Sequence, residues 1–212
     1  MFQPELLPRG RSALLALLPI CLVLLLGCQP LIQAPPSTPA ADLVLQPTPT
    51  VAAPSEPLPP VRMRIAALNL DLPIVPMGWI VTENNEGQRT TKWVVPLDAV
   101  GWHVNSAPAG AMGNTILSGH QFMGSALFAP LALGDIQVGQ EVELVDEAGA
   151  TFTYKITEVS EPIPLLGASE EDVALAESYM QPSAEAQLTL MTGWPDFTTT
   201  HRIFAVAVRV GQ

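Results

Sequence analysis

The side chains that most often carry nucleophilic or proton-transfer chemistry are scarce in this chain, which has three histidines and two cysteines in 212 residues. Cys21 and Cys28 both fall in the N-terminal stretch, so the rest of the chain holds no thiol for nucleophilic attack and no pair for a disulfide. The histidines at 103, 120 and 201 show no metal-ligand spacing, and His103, in "GWH", reads as a surface or structural residue. His120 closes the run "LSGHQ", and Arg202 opens the last apolar run, nine residues after Gly193. Taken alone, each has a bland reading: a strand-end histidine is usually a hydrogen-bonded structural residue, and a strand-end arginine is usually solvated or salt-bridged. Hydroxyls remain, but a threonine nucleophile needs a strong adjacent base. In the run Leu188 to Thr192, strand alternation turns Leu188, Leu190 and Thr192 inward and leaves Thr189, Met191 and Gly193 on the other face.

The elements that must position these residues are short β-branched or alternating runs divided by Gly, Pro and Asn. They are "MRIAALNLDLPIV" (63–75), "NTILSGH" (114–120), "EVELVD" (141–146), "TFTYKITEV" (151–159), "AQLTLMT" (186–192) and "RIFAVAVRV" (202–210). Such spacing favours a barrel or sandwich over alternating helix and strand. "NNEGQ" (84–88) and "DEAGA" (146–150) predict hairpin turns. One helix is expected in the excursion from Ser160 to Glu185, with Ser169 as N-cap, Asp172 three residues later, and Glu170 and Glu171 in a first turn whose dipole favours negative charge.

The N-terminal part is of another kind. Arg9 and Arg11 precede an apolar run, Ser12 to Gly27, interrupted by Pro19 and with the proportions of a signal-peptide core, so residues 1–27 read as targeting. "LLGC" (25–28) resembles the lipobox of bacterial lipoproteins, which implies a lipid on the sulfur of Cys28; an uncleaved N-terminal anchor gives the same topology, and simple secretion is the third option. Either anchor places everything after Cys28 outside the membrane. Residues 28–60 are proline-rich and read as a semi-rigid polyproline stalk, and residues 61–212 as the folded domain. A formal net charge of −11 argues against a nucleic-acid partner, which needs a basic surface.

Three features occur together: "LSGHQ" around His120, "LTLMTGWP" around Gly193, and Arg202 at the start of the last strand. They resemble the bacterial sortases, membrane-tethered transpeptidases that cleave a sorting motif in a surface protein and pass the acyl group to an amine. "LDLPIV", "WVVP", "GWH", "GNTILSGH", Phe128 and Leu131 with a later Gly134-Asp135, and "TTTHRIFAVA" fall in the order the resemblance requires. It implies an all-β fold, a closed barrel of about eight strands with one or two short helices in loops. It also implies that His120 and Arg202 stand at the catalytic positions, and that Gly193 stands where the family carries its cysteine nucleophile. Thr189 and Met191 are then on the groove face, and Trp194 either packs in the core or at the rim or lines the groove. The 160–185 excursion matches the loop that shapes substrate choice, and no cofactor is implied.

The chemistry implied is attack by a thiolate to form a thioester, with histidine moving a proton and arginine hydrogen-bonding the substrate and the developing oxyanion. Glycine has no side-chain atom to attack with. Three readings follow: a tethered protein that binds a peptide or the C-terminal tail of a surface protein without transpeptidation; an active enzyme using another nucleophile, or cysteine if the codon at 193 encodes it; and a structural spacer or assembly module at the cell surface.

Overall fold

The computed structural model describes residues 57–83 and 87–211; the targeting segment 1–27, Cys28 and all but the end of the stalk lie outside them. The strands are β1 (Pro60–Ile65), β2 (Leu70–Met77), β3 (Trp79–Glu83), β4 (Arg89–Trp93), β5 (Val100–His103), β6 (Gly113–Ser118), β7 (Glu141–Asp146), β8 (Thr151–Val159), β9 (Ile163–Pro164), β10 (Ala186–Trp194) and β11 (His201–Arg209). The helices are α1 (Ala129–Ala132) and α2 (Glu170–Ser178).

Eight strands close on themselves in the order β10, β6, β5, β2, β1, β7, β8, β11, and the last pairs back with β10. The β10–β6 and β2–β5 pairs are parallel and the rest antiparallel, so the barrel is mixed. Its interior is filled by the alternate residues of each strand, among them Met63, Ile65, Leu117, Leu144, Tyr154, Ile156, Leu188 and Leu190, all fully buried. Phe128 and Leu131, around the short α1, belong to the same cluster. This is the closed all-β barrel with few helices that the sequence implies.

One strand assignment changes. The run 63–75 is not a single strand: a 3₁₀ turn over Ala66–Leu68 and Asn69 in the left-handed conformation (φ 54°) reverse the chain, so that Ile65 pairs with Leu70. Asparagine tolerates that conformation, and the apolar residues on both sides hide the break from a periodicity reading. The expected turns fall between paired strands. Glu83 faces Arg89 across the β3–β4 hairpin, whose residues 84–86 lie outside the described residues. At the β7–β8 turn, Asp146 Oδ1 accepts from the backbone of Ala148 (2.9 Å) and Ala150 (2.8 Å). The end of the stalk is tied to the barrel, since the Leu58 carbonyl accepts from Ala109 N (3.2 Å) and that of Pro59 from Glu147 N (3.1 Å).

Helix α2 starts as expected: Ser169 Oγ accepts from Asp172 N, and the Asp172 carboxylate accepts from Ser169 N, a reciprocal cap. The helix leads to Tyr179, whose ring stacks on Phe204 at 4.7 Å, and Asn114 Nδ2 donates to the carbonyls of Tyr179 and Gln181. The 160–185 excursion is thereby pinned across the outer face of β10 and β11.

Gly119, at the exit of β6, is a close-approach glycine. A Cβ there would sit 2.7 Å from Cγ of the buried Phe128 ring, which is held by the core and cannot swing aside. Gly119→Ala is expected to cost about 1–3 kcal/mol, read as a lower midpoint at unchanged slope in urea denaturation.

Candidate functional site

The parallel pairing of β6 and β10 brings their C-terminal ends to the same rim of the barrel. Ser118 lies opposite Met191, and Gly119 N donates to the Met191 carbonyl at 3.3 Å. The antiparallel β11 then puts Arg202 opposite Gly193. Between these ends, the β3–β4 hairpin and the loop after β9 lies a groove of about 310 Å³. His120, Gln121, Met191, Gly193 and Arg202 border it, with Lys92 on the hairpin side.

His120 Nε2 lies 3.2 Å from the Val95 carbonyl oxygen, which can only accept, so this nitrogen carries a hydrogen and donates it there. Arg202 is half-buried. Its Nη1 reaches Met191 Sδ at 3.8 Å, a weak acceptor, and burial lowers its pKa from the ordinary arginine value. His201 turns the other way, its ring edge-on to Trp194 at 5.3 Å, as the strand alternation requires.

Gly193 is in extended conformation, and the space its side chain would take is filled. A Cβ built there would lie 2.4 Å from Gln121 Nε2, 2.7 Å from Thr199 Oγ1 and 2.8 Å from Thr199 Cγ2. Gln121 is held firmly, because Nε2 reaches the Thr198 carbonyl (2.8 Å), Thr199 Oγ1 (2.9 Å) and the Pro195 carbonyl (3.3 Å). One buried carboxamide therefore closes the loop between β10 and β11 and covers the α-carbon of Gly193.

Of the residues assigned to the groove from sequence, His120, Met191, Gly193 and Arg202 border it together. Thr189 and Trp194 do not. Thr189 shares a strand face with Met191, but the chain after α2 crosses over it: the hydroxyl is buried and within reach of Asn114 Oδ1 (2.9 Å) and the Tyr179 carbonyl (3.2 Å). Trp194 is partly buried against the barrel core. Thr192, turned inward with the leucines, gives its hydroxyl hydrogen to the Gly119 carbonyl at 2.7 Å. Cys28 lies outside the described residues.

A sortase domain family matches residues 63–210. The chain belongs to the sortase family. Solved structures of the same fold include a lid mutant of sortase A from Corynebacterium diphtheriae (21% identity, TM-score 0.52, 75% of this chain and 74% of that one). Sortase C1 from Streptococcus suis (17%, 0.51, 72% and 73%) and the group B Streptococcus pilus island 1 sortase C2 (19%, 0.51, 71% and 73%) are similar to the same extent. At these identities the likeness establishes the barrel and its topology. No curated protein matches the chain.

In this sortase barrel three residues that border the groove are not singled out by the sequence reading: Gln121, Thr199 and Ser118. His103 is structural, as one reading had it, but fully buried and not at the surface. Its Nε2 is 2.7 Å from Ser118 Oγ, its ring is 4.2 Å from that of Trp93, and Nδ1 has no partner. The signal for Gln121 was its place directly after His120; nothing local marks Thr199, which is reached only through the fold.

Burial, and secondarily the charge of Arg202, push the His103 pKa down from 6.5 to about 4. The unfolded chain takes up this proton near pH 6.5 while the folded chain resists until about 4. The stability tied to neutral His103 is therefore complete above the upper value and declines between the two, with about 3 kcal/mol lost once both states are protonated. Urea unfolding followed from pH 7 to 4 is expected to show this decline in the wild type and a shallower one in His103→Gln; parallel curves would assign the titration elsewhere.

Proposed function

We propose that this sortase-family protein binds an extended peptide from a surface protein in the groove beside Gly193 and does not carry out transpeptidation. Gly193 stands where the family's cysteine is expected, His120 and Arg202 at its partner positions. What carries the reading is the filling of the Gly193 side-chain space by Gln121 and Thr199. A recent loss of cysteine would leave a hole the size of a thiol, whereas this rim is packed around the missing atoms. The Thr189 and Thr192 hydroxyls are engaged elsewhere and have no base beside them.

A second reading rests on Ser118, which borders the groove with its hydroxyl 2.7 Å from His103 Nε2, a hydroxyl–imidazole pair of the kind that activates serine nucleophiles. It is the weaker reading. A histidine with pKa about 4 is a poor general base at neutral pH, nothing orients its second nitrogen, and Ser118 is almost wholly buried.

The test incubates wild type, Gly193→Cys and Gly193→Cys/Gln121→Ala with a sorting-motif peptide library and an amine, reading products and covalent adducts by mass spectrometry. The wild type is expected to be silent, and the double variant to form thioester adducts and turn over at least tenfold faster than Gly193→Cys, in which Gln121 crowds the new sulfur. Turnover by the wild type overturns the reading, and its loss in Ser118→Ala would assign the chemistry to the serine pair.

The domain is proposed to stand outside the cell on the 28–60 stalk, held by a lipid on Cys28. Supporting this are the basic residues before the apolar run and the "LLGC" that closes it. Metabolic labelling with a fatty acid is expected to mark the wild type and not Cys28→Ala. A membrane-bound, unlabelled wild type would point to the uncleaved anchor instead.

A further inference from the structure

The groove's charge runs against that of the rest of the chain. The whole sequence carries a formal −11. Yet the groove lining holds Lys92, Arg202 and His120, and among the described residues no aspartate or glutamate. Arg202 accentuates the contrast. A half-buried guanidinium normally finds carboxylate or carbonyl oxygens for its donors, because leaving water is costly. Here the ion pairs among the described residues are those of Arg62 and Arg64 with Asp71 on the β1–β2 pair, none of which lines the groove, and the hydrogen bond of Arg202 goes to a thioether sulfur. Asp172 and Glu177 border a neighbouring cavity of about 200 Å³ that Arg202 also touches. Neither pairs with Arg202, and the Asp172 carboxylate is committed to the α2 cap. His103, behind the groove, has no acid beside it either: its partners are Ser118 and the Trp93 ring.

The groove thus presents a guanidinium without an anion, next to an α-carbon without a side chain. From this we infer that the ligand is a peptide ending in a free carboxylate, with that carboxylate paired to Arg202 beside Gly193 and supported by Lys92. The inference rests on the peptide-binding reading above and gives it a chemical reason. A C-terminal amide offers Arg202 one neutral carbonyl. A carboxylate offers two charged oxygens, which match the planar fork of arginine in bidentate fashion. Among the described residues the groove lining holds no thiol, and its Ser118 and Thr192 hydroxyls are buried and hydrogen-bonded, so the groove serves to hold the end of a chain and not to join it.

The full-length protein is immobilised and challenged with one pooled peptide library made in three forms: C-terminal acids, C-terminal amides, and amides carrying a glutamate as last residue. Retained peptides are counted by mass spectrometry at low salt and at 0.5 M NaCl. Acids are expected to be retained at least tenfold over amides, with the ratio falling in high salt. It should also fall at least fivefold in Arg202→Gln and about twofold in Lys92→Gln. Lys92 is on the exposed hairpin, so that second variant keeps the test valid if Arg202→Gln fails to fold. Equal retention of acids and amides overturns the carboxylate inference while peptide binding stands. Retention of the glutamate amides as strong as that of the acids moves the carboxylate from the chain end to a side chain and overturns the terminal assignment. Retention of none of the three forms removes the peptide-binding reading itself.

Discussion

Strand β10 is the element on which the rest depends. It pairs in parallel with β6 and antiparallel with β11, and these two pairings close the barrel. Parallel pairing delivers the ends of β6 and β10 to one rim, so the chain after Ser118 and the chain after Met191 must share a space. Antiparallel pairing returns β11 to that rim with Arg202 opposite Gly193. Residues 70 or more positions apart in sequence become neighbours because one strand has two partners of opposite sense.

What happens in the shared space is decided by size and hydrogen bonding. Glycine at 193 lets the Gln121 carboxamide come down onto the strand, and the carboxamide donates to the Pro195 and Thr198 carbonyls of the β10–β11 loop. The two features require each other: a side chain at 193 would push the amide off the loop, and without the amide the loop would lose the bonds that hold Thr199 in place. His103 plays a matching part behind the groove, where burial keeps it neutral so that it adds no second charge next to Arg202.

Much of this was legible in the sequence, and the reasons differ by residue. His120, Gly193 and Arg202 were found because their local strings and their order along the chain carry the family pattern. Met191 was placed by simple strand alternation. Thr189 obeys the same alternation yet misses the groove, because what covers it is the chain around Tyr179, a contact between distant segments that periodicity does not encode. Gln121 was hidden for the same reason, since its partners are 74 to 78 residues away. The break at Asn69 was masked by apolar residues that continue through the turn.

The central claim is that the rim is built around glycine, and a double-mutant cycle of stability on Gly193→Ala and Gln121→Ala tests it most directly. In an open strand, replacing glycine by alanine raises stability by about 0.5–1 kcal/mol. Here Gly193→Ala alone is expected to lower it, and to do so less in the Gln121→Ala background, with a coupling above about 0.5 kcal/mol. A Gly193→Ala variant as stable as the wild type or more so, with additive effects in the double variant, would mean that the space at 193 is free, and the claim of a rim adapted to glycine would be wrong.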